Sequence, residues 1–213
     1  MIIREACIEN YLEAKNAEIA GAERIELCEN LSVGGTTPSY GTIKKCLENL
    51  EIPTFVMIRP RGGDFCYSPT EIEIMIEDIK LCNQLGVPGI VLGVLTKNNK
   101  IDYPLLKRLI NEAKGMEVTF HKAIDELEDP STEVENLAKL GVNRILTSGG
   151  HRSALEGKDT LNKMIKLTKG RITIVVAGGV TNLNFDDIKA KIPSTEFHGK
   201  LIVGNIKWER EII

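Results

Sequence analysis

Eight short runs of β-branched and apolar residues, separated by stretches of helical periodicity, limit what this chain can fold into more than any other feature. The runs occupy residues 2–7, 24–28, 54–58, 89–93, 117–121, 144–147, 172–177 and 196–198. Strands that alternate with helices build a parallel sheet, because each parallel neighbour needs a crossover long enough to hold a helix. Two of the intervening stretches show the pattern well. Over 70–85, Ile72, Met75, Ile76, Ile79 and Cys82 fall on one face, and over 40–50 Ile43, Cys46, Leu47 and Leu50 do the same. Ser68-Pro69-Thr70-Glu71 reads as an N-cap, a proline at the first helical position and a reciprocal glutamate, and Asp129-Pro130 opens a later helix in a similar way.

A faint repeat chooses between an open sheet and a closed one. GAERIEL from Gly21, GVPGIVL from Gly86 and GVNRILT from Gly141 each place a glycine where a helix would end, then a short turn, then an apolar strand. These precede strands two, four and six, so a unit of two βα pairs recurs along the chain. An open doubly wound sheet would more often carry a glycine-rich fingerprint after its first strand, and no G-x-G-x-x-G stands there. The expected fold is therefore an α/β, TIM-type (β/α)8 barrel, a single domain over residues 1–213, without a linker-like break. Residues 201–213 are too few for a full last helix and its connection, so that helix is expected to be short or irregular.

Composition narrows the function classes. With 42% hydrophobic and 27% charged residues of mixed sign, disorder is not expected. A net charge of −3 and the lack of a basic run offer no field for nucleic acid or anionic lipid. No stretch approaches the roughly 18 apolar residues of a membrane span. The chain enters its first strand at once, with Arg4 and Glu5 inside it, which reads as a cytoplasmic protein without a leader. The five cysteines include no C-x-x-C pair, which argues against a disulfide framework or a structural zinc site and for free thiols.

In such a barrel, functional groups gather at the carboxyl ends of the strands. Alternation puts Glu5 with Cys7, Glu26 with Cys28, and Thr119 with His121 on shared faces. With strands one and two adjacent, their Glu-x-Cys endings are expected side by side, two carboxylates below two thiols. Carboxylates pointing into a barrel require cations, a metal or a ligand network. MIRPRGGDF after strand three brings Arg59, Arg61 and Asp64 to the mouth, TFHKAID brings His121 and Asp125, and FHG brings His198. Ser148 and Gly149 after strand six, and Gly178 and Gly179 after strand seven, are candidates for holding an anion on backbone N–H groups. Plainer roles stand beside these. Cys46 and Cys82 read as helix-face packing and Cys66 as a rim thiol; Cys7, Cys28 and His121 are open between packing and function. The arginines have an alternative role as an internal ion-pair layer that neutralises Glu5 and Glu26.

Taken in order, REAC, RIELCENLSVGGTTPSYG, MIRPRGGDFCYS, VLGVL, VTFHKAID, RILTSGG, SALEG, AGGV and EFHG resemble the CutC family, described as copper homeostasis proteins. The likeness runs from Met1 to about Gly199. It implies a TIM-type barrel, a cytoplasmic location, a homo-oligomer and a Cu(I) role in which Cys7 and Cys28 match the thiols proposed to hold copper. Gly150-His151-Arg152 and the tail from Lys200 depart from the family pattern, so no role is carried onto His151.

Two functions follow as expectations. In the first, two thiolates from adjacent strand ends supply a low-coordination Cu(I) site, since soft thiolates select Cu(I); against it, the five methionines are scattered. In the second, the chain is an enzyme acting on a small anionic metabolite, phosphorylated or carboxylated. There Glu5 and Glu26 serve as acid and base or as ligands of a divalent metal. His121 is a proton shuttle oriented by Asp125, Arg59 and Arg61 form an anion clamp, and His198 lies beside the anion loop. A non-catalytic ligand-binding scaffold is a third possibility, and the residues do not choose a reaction.

Overall fold

The computed structural model of the protein describes residues 1–207. Its strands are β1 (Ile3–Ile8), β2 (Arg24–Leu27), β3 (Thr54–Met57), β4 (Gly89–Leu92), β5 (Glu117–Phe120), β6 (Arg144–Thr147), β7 (Thr173–Val176) and β8 (Glu196–Gly199). All pair in parallel in chain order, and β8 closes on β1. Outside them lie α1 (Tyr11–Ile19), α2 (Tyr40–Asn49), α3 (Pro69–Gln84), α4 (Tyr103–Glu112), α5 (Val134–Leu140), α6 (Lys158–Thr168) and α7 (Phe185–Lys191). This is the expected (β/α)8 barrel, with every strand within two residues of its expected bounds. Residues 200–207 form no helix, and the rest of the expected irregular last helix, 208–213, lies outside the described residues. Among the described residues no helix is long and apolar enough to cross a membrane.

Local sequence accounts for the boundaries. Ser68 accepts from the Glu71 backbone N–H while the Glu71 carboxylate accepts from that of Ser68, and Pro69 fills the first turn of α3, where no N–H is needed. Asp129-Pro130 begins a 3₁₀ turn, Pro130–Glu133, that leads into α5 rather than an α-helix directly. Gly21, Gly86 and Gly141 take φ of 89°, 73° and 94°, reversing the chain after α1, α3 and α5, and a strand begins three residues after each.

The larger core lies between strands and helices. Ala6, Ile8, Ile25 and Leu27 point outward from β1 and β2 and join Met75 and Ile79 of α3 and Leu161 of α6 in one buried cluster. Inside the barrel the filling is divided. Cys7, Cys28, Phe55, Met57 and Val91 form one apolar group and Leu146, Val175 and Ala177 another, while charged groups occupy the remainder of the interior.

Register overturns one expectation. Barrel strands are staggered, so neighbours do not meet at equal positions within similar motifs. Glu5 lies beside Arg24 on β2 and His198 on β8, while Cys7, not Glu5, is the neighbour of Glu26. The two Glu-x-Cys endings are offset by one inward-facing position instead of standing level.

Candidate functional site

An ion-pair ladder fills the lower half of the barrel interior. Arg24, 4% exposed, bonds both Glu5 and Glu196. Arg144 donates to Glu196 at 2.9 Å and to Glu117 at 2.7 Å. Both guanidiniums stack on the Phe55 ring, at 4.9 and 5.1 Å from its centroid. The internal ion layer therefore exists, but its cations are Arg24, Arg144 and His198, not Arg59 and Arg61. Arg24 and Glu196 were legible by the same alternation that exposes Glu26 and His198, each lying two residues earlier on the same strand face.

The ladder meets the mouth at His198. Its Nδ1 lies 2.8 Å from Glu5 Oε1 and its Nε2 3.5 Å from Glu26 Oε2. Burial raises the Glu5 pKa, yet Arg24 and His198 outweigh it and bring it down to about 2. For His198 burial acts downward, and Glu26, Cys7 and Glu5 overcome it, so the imidazole holds its proton well above the ordinary range. Glu26 moves the other way, raised by burial and by the like charge of Glu5. The twin glutamates thus differ: Glu5 is a fixed anion, and Glu26 is the carboxylate that protonates more readily.

The thiols of Cys7 and Cys28 lie in one buried cluster, with Glu26 beside Cys7 across the β1–β2 pair. The neighbouring Cys28 and then burial raise Cys7, while Cys28, lowered by its Cys7 neighbour but raised more by burial and Glu26, stands at about 11. Both are therefore thiols until something displaces the proton. Ligand atoms of Cys7, Glu26 and His198 all lie within 4.8 Å of one another. Glu5, bound to Arg24 and His198, does not join Glu26 as a ligand pair for a divalent ion. Two soft sulfurs and an imidazole suit Cu(I) better than an all-oxygen site would.

Above them opens a cavity of about 780 Å³, whose wall includes Cys7, Glu26, Cys28, His121, Gly178 and His198. His121 reaches it from the end of β5 but is not oriented by Asp125. Its Nδ1 accepts the Ala123 N–H at 3.1 Å, and Gly93 makes room for the ring: a Cβ there would lie 2.5 Å from it. Asp125 turns to the loop after β6, accepting from Lys122 at 2.7 Å, Ser148 N at 3.0 Å, Gly150 N at 2.9 Å and Thr147 Oγ1. Gly149 N donates to Thr147 Oγ1 at 2.8 Å. The Ser148–Gly149 segment expected to cradle a ligand anion already holds the protein's own carboxylate. Burial would raise the Asp125 pKa; Lys122 and these donors bring it below its ordinary value instead.

The expected arginine clamp also takes another form. Arg59 donates to the carbonyls of Val33, Gly35 and Gly63, at 3.1, 3.0 and 2.6 Å, tying the loops after β2 and β3 together while touching the cavity wall. Arg61 bonds Glu71 at 2.6 Å and Asp64 at 3.0 Å and does not line the cavity. Gly178 and Gly179 do line it. So do Lys122 and Arg152, which the sequence had not singled out, because nothing in a lone basic residue on a loop indicates which way it points.

A closed parallel barrel with a buried thiol, imidazole and carboxylate cluster under its mouth defines an α/β barrel whose site has the groups for either metal or small-molecule chemistry. The chain belongs to the CutC family, which it matches over residues 2–203. It is 46% identical over 196 residues to the copper homeostasis protein cutC homolog of Homo sapiens, covering 92% of this chain and 72% of that one. A CutC family protein of Pasteurella multocida is 44% identical over 194 residues, 91% of this chain and 80% of its own. The crystal structure of CutC from Streptococcus agalactiae superposes with a TM-score of 0.90 at 39% identity, covering 95% of this chain and all of the other.

Proposed function

We propose that the chain handles copper by binding Cu(I) at Cys7 and Cys28, with His198 Nε2 as the third donor. One observation carries this reading: two thiols of one buried cluster, one of them within ligand reach of an imidazole, under an open mouth. The copper homeostasis names of the relatives agree with it. Loading must displace the thiol protons, and Glu26, adjacent and able to accept one, is placed to receive it. Cu(I) affinity measured by competition with a chromophoric chelator tests the site. The double substitution Cys7→Ser and Cys28→Ser should abolish binding, and an unchanged affinity rejects the reading. Light scattering of the purified chain checks the homo-oligomer that the family resemblance implies.

A second reading, an enzyme for a small anionic metabolite, is favoured by a separate observation. Glu26 Oε1 and His121 Nε2 are buried on the cavity wall without a partner among the described residues. Leaving such atoms unpaired costs roughly 1–3 kcal/mol each, which a bound molecule would recover. Metal binding at Cys7 and Cys28 leaves His121 unexplained. Proton NMR of a panel of phosphorylated and carboxylated metabolites tests it: conversion that Glu26→Gln stops is the expected result, and no conversion across the panel rejects it.

A further inference from the structure

His121 is held in one protonation state and one tautomer. The Ala123 N–H points at Nδ1, so that atom must carry a lone pair and the single ring proton must sit on Nε2. Burial, and then the nearby Arg59, push its pKa down to about 3, so the ring stays neutral. Phe65 packs on it at 4.9 Å between ring centroids. The result is a rigid, uncharged donor, 4% exposed, whose N–H finds no acceptor among the described residues. A group that cannot take up a proton is a poor shuttle and a good hydrogen-bond donor to a carbonyl oxygen, because it polarises the oxygen without transferring a proton.

The wall beyond it suits a negative charge. Gly178 takes φ of 97° and packs directly over Ser148, where a Cβ would come within 2.7 Å, so the backbone itself forms the wall there. The Gly178 and Gly179 amides donate to no acceptor among the described residues. Arg152 and Lys200 line the same cavity. Facing them, Asp125 is already neutralised by its own donors.

We infer that the barrel mouth binds a small organic oxyanion that also carries a carbonyl group. The carbonyl oxygen accepts from His121 Nε2–H, and the carboxylate or phosphate lies toward Gly178, Gly179, Arg152 and Lys200. This site shares its cavity with the thiol pair but uses neither sulfur, and it rests on the second reading above, that the mouth receives a metabolite; it does not require turnover. His121 acts as a binding and polarising residue, not as the proton shuttle that sequence alone suggested.

The test uses the full chain labelled with ¹⁵N-histidine and three probes: pyruvate, dihydroxyacetone phosphate and inorganic phosphate. Without probe, His121 should show one protonated nitrogen, Nε2, that does not titrate between about pH 5 and 8. One of the carbonyl probes should bind saturably and shift that resonance, and which one does so decides between carboxylate and phosphate. His121→Phe, which keeps a ring but no donor, should weaken it about tenfold, the factor of one uncharged hydrogen bond, while Cys66→Ser, whose thiol lies outside this cavity, should leave it unchanged. A titrating His121, no shift from either carbonyl probe, or inorganic phosphate binding equally well to wild type and His121→Phe would each overturn the inference. Binding without conversion sinks only the enzymatic reading, because the resonance shift is read on the intact wild-type chain.

Discussion

Replacing Arg24 with methionine tests the ion ladder most directly. Methionine keeps much of the volume against Phe55 but removes the cation that Glu5 and Glu196 share. Removing one partner of a buried pair typically costs about 3–5 kcal/mol, because a buried charge is left without compensation. Two carboxylates are affected here, which argues for more. Each keeps another cation, however: Glu5 has His198 at 2.8 Å and Glu196 has Arg144 at 2.9 Å. These opposing corrections leave the expected loss within about 3–5 kcal/mol. For a chain of this size each kcal/mol lowers Tm by about 2–4 °C, so the midpoint should fall by roughly 6–20 °C. Urea unfolding followed by circular dichroism gives the free energy, and calorimetry the midpoint. Adding Glu5→Gln should recover part of the loss, since the neutral amide no longer needs the guanidinium, and the cycle then reports the Arg24–Glu5 coupling. A loss below about 1 kcal/mol, or strictly additive effects, would mean that water satisfies these carboxylates and that the ladder does not organise the interior.

The neutral state of His121 should appear in acid. Its folded pKa is depressed to about 3 against about 6.5 when unfolded, so between those values the unfolded chain binds the extra proton. This contribution is intact above about pH 6.5 and declines as pH falls toward 3, by about 5 kcal/mol at most. Between pH 7 and pH 4.5 the unfolding free energy of wild type should therefore fall by more than that of His121→Phe, and parallel curves would refute the assignment. Gly93→Ala should push a Cβ to 2.5 Å from the His121 ring. A cost of roughly 1–3 kcal/mol from overpacking is expected, with a changed His121 ¹⁵N signal, and an unaltered spectrum would show that the ring is not wedged there.

The barrel was legible because its signals are local and repeated: runs of four residues with β propensity, helices with one apolar face, and glycines at three equivalent helix ends. The Ser68 capping box was readable for the same reason, since all its partners lie within four residues. Partnership across the barrel was not. Which arginine meets Glu5 depends on the stagger between β1 and β2, a property of the closed sheet that no single strand encodes. The sequence placed Asp125 near His121 because they are four residues apart. The turn at Lys122–Glu126 instead carries the carboxylate to the next loop, where five donors converge on it. Arg59 looked like a ligand clamp for a similar reason, since two of the backbone carbonyls that occupy it, those of Val33 and Gly35, come from the loop after β2, distant in the chain.

The offset between β1 and β2 has a consequence for how such proteins diverge. A closed sheet resembles a spiral staircase, and a triplet copied onto the next tread arrives one step higher than its original. Glu5 lands among cations and is locked into a structural task, while Glu26, the same letter in the same three-letter word, lands at the open landing where chemistry can reach it. Adjacent strands of one barrel can thus give identical residues distinct duties with no substitution to separate them.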